Sequence, residues 1–381
     1  MANNNDNKVL NVPTLRFPEF KGEWKATKIG EVCSEFKSGK GIKADNISEI
    51  GNYPVYGGNG LRGFTSEYNH NGLYVLIGRQ GALCGNINVA IGKMYITEHA
   101  VAVSANTDNN TRFLQYLFLK MNLGQYSDQS AQPGLAVNKL IRLKVNIPSL
   151  SEQDKIASLF SLLDERISTQ NKIIEKLESL IKGLVDNILN SYAYKKIPFK
   201  DIYTHAGEGG TPATSYSEYY ECGTVPFIKI DDLQNKYLES NRDFISELGL
   251  QKSSAWIVPA NSIIYSNGAT IGAISINKYP VSTKQGILGI VPKEDINVEY
   301  LYYFMTSTIF KKSVHRIITE GTMKTAYLKD INYIACPIPM IEEQRKIAIL
   351  LSTISSKLEN ETAIQRNLKK QKSFLLQQMF I

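Results

Sequence analysis

Three Glu-x-Lys triplets crowd the start of the chain, at Glu19–Lys21, Glu23–Lys25 and Glu35–Lys37. A carboxylate and a lysine at that spacing, with a second carboxylate upstream, could hold a metal and cut a phosphodiester. The upstream partner is missing. No Pro-Asp pair precedes any triplet, and the only earlier acid is Asp6 in a polar opening stretch. Glu98 beside His99 has the residue types of a general acid–base pair, yet a lone His–Glu contact is far more often structural. The other histidines (His70, His205, His315) and the four cysteines (Cys33, Cys84, Cys222, Cys336) lack metal-ligand spacing. Gly39-Lys-Gly41 is a lone Gly-x-Gly and a weak nucleotide signal. There is no Gly-x-x-x-x-Gly-Lys-Ser/Thr to cradle phosphates, and no Pro-Pro dipeptide, which excludes the Asn-Pro-Pro-Tyr loop of amino-methyltransferases. Bond chemistry is not expected of this chain, nor is a metal or cofactor held by it.

The bulk properties narrow the setting. At 381 residues the chain has room for two or three domains. It is 43% hydrophobic and 21% charged, an ordinary folded composition rather than a disordered one. Its formal charge is +7, from 43 Lys plus Arg against 36 Asp plus Glu, a mild excess that permits an anionic partner without demanding one. The cysteines are too sparse for a disulfide scaffold, the opening residues lack the apolar core of a signal peptide, and no apolar run approaches the ~20 residues that span a bilayer. A cytoplasmic protein with reduced thiols is expected.

The elements that must carry any site are set by a repeat. Pro148-Ser-Leu-Ser-Glu152-Gln153-Asp-Lys155-Ile156-Ala157 returns as Pro339-Met-Ile-Glu-Glu343-Gln344-Arg-Lys346-Ile347-Ala348, about half a chain later. Each copy opens a long helix. In the first, a 4-3 spacing lands on Ile156, Phe160, Leu163, Ile167, Gln170, Ile174, Leu177, Ile181, Leu184 and Ile188, all apolar except Gln170. Leu159, Leu162, Ile173, Leu180 and Val185 widen the stripe and predict packing on more than one neighbour. Ser151, Glu152 and Asp154 supply a cap and an acidic first turn. The second helix carries Ile347, Leu351, Ile354, Leu358, Glu361, Gln365, Leu368, Lys372, Leu375 and Met379, with Ile364 offering a shifted seam. About 40 residues make a rod of roughly 60 Å, too long to bury its stripe alone. The two helices are therefore expected to pair as an antiparallel coiled coil with pseudo-twofold symmetry, the arrangement a duplicated chain favours. In that pairing Gln170 and Glu361 are expected to meet at mid-rod and fix register.

Each helix follows a domain-sized stretch, giving 1–147 and 193–336 as globular domains and 148–192 and 337–381 as spacer helices. The domains echo each other weakly. Gly81-Ala-Leu-Cys-Gly85 matches Gly268-Ala-Thr-Ile-Gly272, Phe113–Tyr116 matches Tyr300–Tyr303, and Lys139–Ile141 matches Lys329–Ile331. Short β-rich runs such as Tyr74–Ile77 and Ser262–Tyr265 are broken by Gly and Asn turns. The fold class expected is α+β: two tandem mixed domains separated by two long helices.

The chain resembles the specificity subunit of type I restriction–modification enzymes. The resemblance rests on Pro13-Thr-Leu-Arg-Phe-Pro-Glu-Phe20, Gly22-Glu-Trp24, the two helix starts, and Gly209-Gly-Thr-Pro212 before Ile230-Asp-Asp-Leu233. It covers nearly the whole chain. It implies two target-recognition domains, each reading half of a bipartite double-stranded DNA sequence, with the paired helices as a spacer ruler. It also implies partners, two modification (methyltransferase) subunits and two restriction (motor-nuclease) subunits, which would hold the S-adenosylmethionine, ATP and Mg. Base reading needs hydrogen-bonding side chains on rigid turns. The first domain offers Asn59, Arg62, Arg79, Gln80, His99, Gln132, Asn138 and Lys139, interleaved with Tyr56 and Phe64; the second offers Thr211, Lys229, Asp231, Asp232, Asn267, Lys284, Gln285, Lys324 and Lys329. Glycine turns at 57–60, 81–85 and 268–272 would let backbone approach DNA. The alternatives are a fused single-chain nuclease or methyltransferase, and a scaffold whose domains bind protein.

Overall fold

Runs rich in β-branched and aromatic residues alternate with Gly turns in the first half of the chain, and they fold into one mixed sheet. The computed structural model describes residues 11–128, 134–191, 194–318 and 324–381. It divides into two units, Met1–Asn171 with Ala363–Ile381, and Lys172–Thr362. In the first unit the strands are β1 (Cys33–Ser38), β2 (Tyr53–Gly57), β3 (Gly60–Thr65), β4 (His70–Gly78), β5 (Ile87–Ile96) and β6 (Ala100–Ala105), in the spatial order β1-β6-β4-β5-β2-β3. Helix α1 (Thr111–Met121) packs on this sheet, its amide ends capped by the Asn110 side chain. A ribbon of Lys25–Lys28 against Lys144–Ile147 brings the chain to the long helix α2 (Leu150–Ser191). The core gathers Trp24, Phe113, Phe160 and the C-terminal Phe380, with ring centroids 5.3–6.4 Å apart among the contacting pairs. The chain's end thus closes the core that its beginning opens.

The second unit repeats the plan. Its strands are β7 (Tyr203–Glu208), β8 (Tyr237–Leu238), β9 (Ile263–Ser266), β10 (Ile274–Asn277) and β11 (Ile287–Pro292), in the order β7-β11-β9-β10-β8. The series β7-β11-β9-β10 has the connectivity of β1-β6-β4-β5, so the weak sequence echo reflects a shared topology. The ribbon recurs as Lys196–Pro198 against Ala335–Pro337. A further three-stranded sheet (Asp243–Ile245, Val225–Ile228, Ser282–Thr283) belongs to this unit alone among the described residues. Helix α3 (Val298–Thr306) takes the place of α1 and is followed by α4 (Thr308–Ile317), before the second long helix α5 (Ile341–Gln378). Phe310 of α4 packs against Phe199, Phe304 and Tyr265 at 5.3–6.1 Å.

In each unit a part of α2 packs with a part of α5. In the first, Asp164 pairs with Lys372 and the Gln365 amide donates to Asn171 at 2.5 Å, so the helices run antiparallel. In the second, Glu178 and Leu358 share one groove while Leu351 and Ile347 pack into the cluster holding Val185 and Leu189, again antiparallel. Ile156, Phe160, Gln170, Leu351 and Leu368 are buried. Leu163, Ile167, Ile174, Leu177, Ile347, Ile354, Leu358 and Glu361 are half-buried. The seam stays on Gln365, because Ile364 is exposed. Two residues expected to widen the stripe lie outside it, Leu162 at 66% and Leu180 at 47% exposure. Gln170 falls in the first unit and Glu361, ion-paired with Lys357 one turn back, in the second. No helix among the described residues is long and apolar enough to cross a membrane.

Candidate nucleic-acid interface

The repeated Pro-x-x-x-Glu-Gln motif is a brace and not a reader. Gln153 is 1% exposed and Gln344 is fully enclosed. The Gln153 Oε1 accepts the Asn110 backbone N–H at 2.9 Å, and its Nε2 donates to the Pro148 carbonyl at 3.0 Å. Gln344 does the same with Asn297 (2.8 Å) and Pro339 (2.9 Å). Each glutamine therefore locks the start of a long helix to the start of the helix lying on its sheet. Glu152 is enclosed with Arg16, which donates to it from two nitrogens at 2.8 Å, and with the Trp24 indole at 3.3 Å. That contact holds the Arg16 guanidinium above its ordinary pKa, the hydrogen bond outweighing the opposing burial. It also explains the opening motif: Arg16 and Trp24 sit where they can hold Glu152. Glu343, the counterpart, takes a hydrogen bond from the Tyr194 hydroxyl at 2.8 Å. Tyr116 bonds Asp164 at 2.9 Å, and Tyr303 bonds Ser355 at 3.0 Å, the same tie between sheet helix and long helix in both halves.

With the frame fixed, the first domain gathers loops at one end of its sheet. The Arg79 N–H donates to the His99 carbonyl (3.0 Å), and the Arg79 carbonyl accepts from the Leu135 N–H (2.9 Å). A Cβ on Gly78 would stand 2.8 Å from the Gly58 carbonyl, so only glycine lets the β2–β3 hairpin tip lie against this turn. Asn59 and Arg62 on that tip are exposed, as are Gln80 and His99; Arg79 is half-exposed. Gln80 Oε1 faces His99 Nδ1 at 3.3 Å, and His99 Nε2 faces Glu98 at 3.3 Å. The Glu98–His99 pair is therefore part of a loop network. Neither Arg62 on the hairpin nor Arg79 on the turn has an ion-pair partner among the described residues. Asn138 and Lys139 are exposed on the adjoining short turn Val137–Leu140, with Lys139 paired to Asp128. Gln132 lies outside the described residues.

The second domain brings Thr211, Lys229, Asp231, Lys284 and Gln285 to the wall of one cavity of about 550 Å³, with Glu208, Ala269 and Tyr327. Lys229 is partly engaged by Asp243 at 2.7 Å, and the Asp232 carboxylate takes the Lys229 backbone N–H at 2.9 Å. Asp232 is thereby a turn-former first. Lys324 and Lys329 are exposed, and the Lys329 ammonium lies 5.4 Å from the Tyr327 ring centre. Asn267 is a correction. It is fully buried, its amide donating to the Ala326 carbonyl at 3.2 Å, so it supports the turn and presents nothing at the surface. The reason is positional. The Asn267 backbone repeats that of Arg79, with its N–H on Gly286 (3.0 Å) and its carbonyl on Ala326 (2.9 Å), but here the side chain folds inward. Tyr327, Glu208 and Thr325 are among the cavity residues that sequence reasoning passed over; the signal available for Tyr327 was an aromatic between Lys324 and Lys329.

Other sequence candidates resolve into structural jobs. Glu35 binds Lys37 (2.9 Å), His70 (3.2 Å) and Tyr74 (3.1 Å). Burial pushes the Glu35 carboxyl up, but these hydrogen bonds and nearby cations outweigh it and leave it below the usual range. A Cβ on Gly39 would meet the Ile96 carbonyl at 2.2 Å, so the Gly-x-Gly marks a close chain crossing. No metal-holding group of His, Cys, Asp and Glu occurs among the described residues.

The family model described as "Type I restriction modification DNA specificity domain" matches residues 21–179 and 193–370. The EcoprrI specificity subunit of Escherichia coli is 44% identical over 154 residues, covering 39% of this chain and 38% of that protein. The MjaIX specificity subunit of Methanocaldococcus jannaschii is 34% identical over 203 residues, covering 52% and 45%. The chain thus matches less than half the length of either of these curated relatives. The crystal structure of a type I restriction–modification S subunit from M. genitalium aligns with a TM-score of 0.69 at 17% identity, over 97% of this chain and 99% of that one. Matched twice by the model, across both halves of its duplicated fold, the chain belongs to the type I restriction modification DNA specificity family.

Proposed function

We infer that this chain is the sequence-reading, non-catalytic subunit of a type I restriction–modification assembly. Each domain reads one half of a bipartite duplex, and the α2–α5 pair sets the gap between the halves. Methyl transfer and ATP-dependent cleavage belong to partner chains, two modification and two restriction subunits, which hold S-adenosylmethionine, ATP and Mg. The observation that supports this reading is the pair of turns at Arg79 and Asn267. The backbone hydrogen bonds there are the same, while the residues around them differ in charge and exposure. A shared frame with divergent loops suits two readers of different sequences. Two weak readers on one spacer gain affinity through effective concentration when the half-sites match the span.

The test is a binding titration of the purified chain against a random duplex pool and the pool it enriches. The expected result is affinity that falls steeply with salt and a preference of at least ~10³ for the enriched duplex. Salt-insensitive binding without preference would point to a protein-binding scaffold. Methyl transfer or cleavage by the chain alone would point to a fused enzyme.

A further inference from the structure

Helix α4 is amphipathic in an unusual way. Its inward face is Phe310 and Val314, both buried, and its outward face is Lys311, Lys312, His315 and Arg316, all exposed. The helix contains no acid, and none of these four side chains has a hydrogen bond or ion pair among the described residues. Asp186 of α2, which lines the same groove, accepts the Thr308 backbone N–H at 3.1 Å. Lys182 of α2 joins the same rim, around a groove of about 710 Å³ whose floor includes Ile181, Val185 and Leu358. Four permanent cations thus face two carboxylates, Glu178 and the committed Asp186. An apolar floor of this kind supports the methylene stems of lysine and arginine while their heads stay in water.

We propose that α4 is a phosphate-gripping helix, through which the second domain holds double-stranded DNA independently of base sequence. The proposal rests on the DNA-reading role above. Two features carry it beyond that role. The first is continuity: α4 packs beside the turn Leu328–Ile331, which bears Lys329 and follows directly on Tyr327 of the 550 Å³ cavity. The helix that bears the basic face therefore adjoins the element that carries Lys329 next to that cavity. The second is asymmetry. After α1 the first domain turns through Leu123–Tyr126, and residues 122–128 contain no Lys or Arg. Lys311 with His315, and Lys312 with Arg316, form two i,i+4 pairs spaced about 5–6 Å apart on the helix surface. A duplex strand offers a charge about every 3.4 Å of its axis. A protein partner is the poorer fit, since lysine is depleted from protein interfaces.

The experiment uses the full chain, the random duplex pool and the enriched duplex. The triple variant Lys311→Gln, Lys312→Gln, Arg316→Gln should bind both probes at least ~10-fold more weakly, with the slope of log K against log salt reduced by about 2–3. Its preference between the probes should not change. The charge-keeping variant Lys311→Arg, Lys312→Arg, Arg316→Lys should restore affinity. Phosphate-ethylation interference on the unaltered chain should show contacts outside one half-site that are missing outside the other. An unchanged slope in the triple variant, or symmetric interference, overturns the proposal. So does normal DNA binding with lost assembly onto the modification subunit, which would make the face a protein-docking surface. If the unaltered chain fails to prefer the enriched duplex, the base-reading role itself fails, a result distinct from any of these.

Discussion

At the scale of single residues, the side chains most visible in the sequence are those that hold the frame. Gln153 and Gln344 announce themselves by repetition, and each ties a backbone N–H at the start of the sheet helix to a proline carbonyl at the start of the long helix. Replacing Gln153 with Ala leaves the Asn110 N–H and the Pro148 carbonyl without their partner. The expected cost is about 1–3 kcal/mol of stability, read from the urea midpoint, with base preference unchanged. Arg79 is expected to act differently. Its backbone is pinned at both ends while its guanidinium lacks an ion-pair partner among the described residues, so Arg79→Ala should relax one base position at about 1–3 kcal/mol of discrimination. An even weakening across all sequences would assign it to phosphate instead. The candidate reader residues were legible only as types. Asn267 and Arg79 occupy the same backbone position, and what turns one inward is the Ala326 carbonyl, supplied from 59 residues away. No local pattern carries that information.

At the scale of elements, the long helices could be read from periodicity alone, because a rod that must bury one stripe records it in every heptad. The choice of Gln365 over Ile364 could not, since it depends on Asn171 across the pair. The strands were legible where they are long, as at His70–Gly78, and obscure where tertiary pairing makes a two-residue strand such as Tyr237–Leu238. That short strand is held by a buried network in which Lys236 donates to Glu299 (3.1 Å), Tyr303 (3.1 Å) and Ser352 (2.8 Å). Burial alone would raise the Glu299 carboxyl. Hydrogen bonds from Ser352, Tyr237 and Lys236, with the lysine's charge, overcome it and hold the carboxyl below its ordinary value. A carboxyl depressed in the folded state stabilises the fold above its unfolded pKa of about 4.3 and loses that contribution as pH falls through the lower folded value. Urea midpoints measured from pH 7 down to pH 3 should therefore fall less steeply for Glu299→Gln than for the unaltered chain, with the variant the less stable of the two at pH 7. Parallel curves would detach Glu299 from the acid response.

At the scale of the whole molecule, the duplication was the most legible feature and the asymmetry the least. The order of sheet, sheet helix and long helix recurs because the residues that fix it recur. Helix α4 and the extra three-stranded sheet have no counterpart among the described residues of the first half, so comparing the halves could not reveal them. If the paired helices are the ruler, inserting one heptad after Asn171 and one after Thr362 keeps the seam in phase and lengthens the rod by about 10 Å. The required gap between half-sites should then grow by about three base pairs at 3.4 Å each, with both half-site sequences kept. The central claim, that one chain carries two independent readers, is tested most directly by methylome sequencing of cells holding this chain and its modification partner. The expected result is a single motif made of two specified blocks separated by unspecified bases of fixed number. One contiguous block, or a motif that survives deletion of either domain's loops, would contradict it.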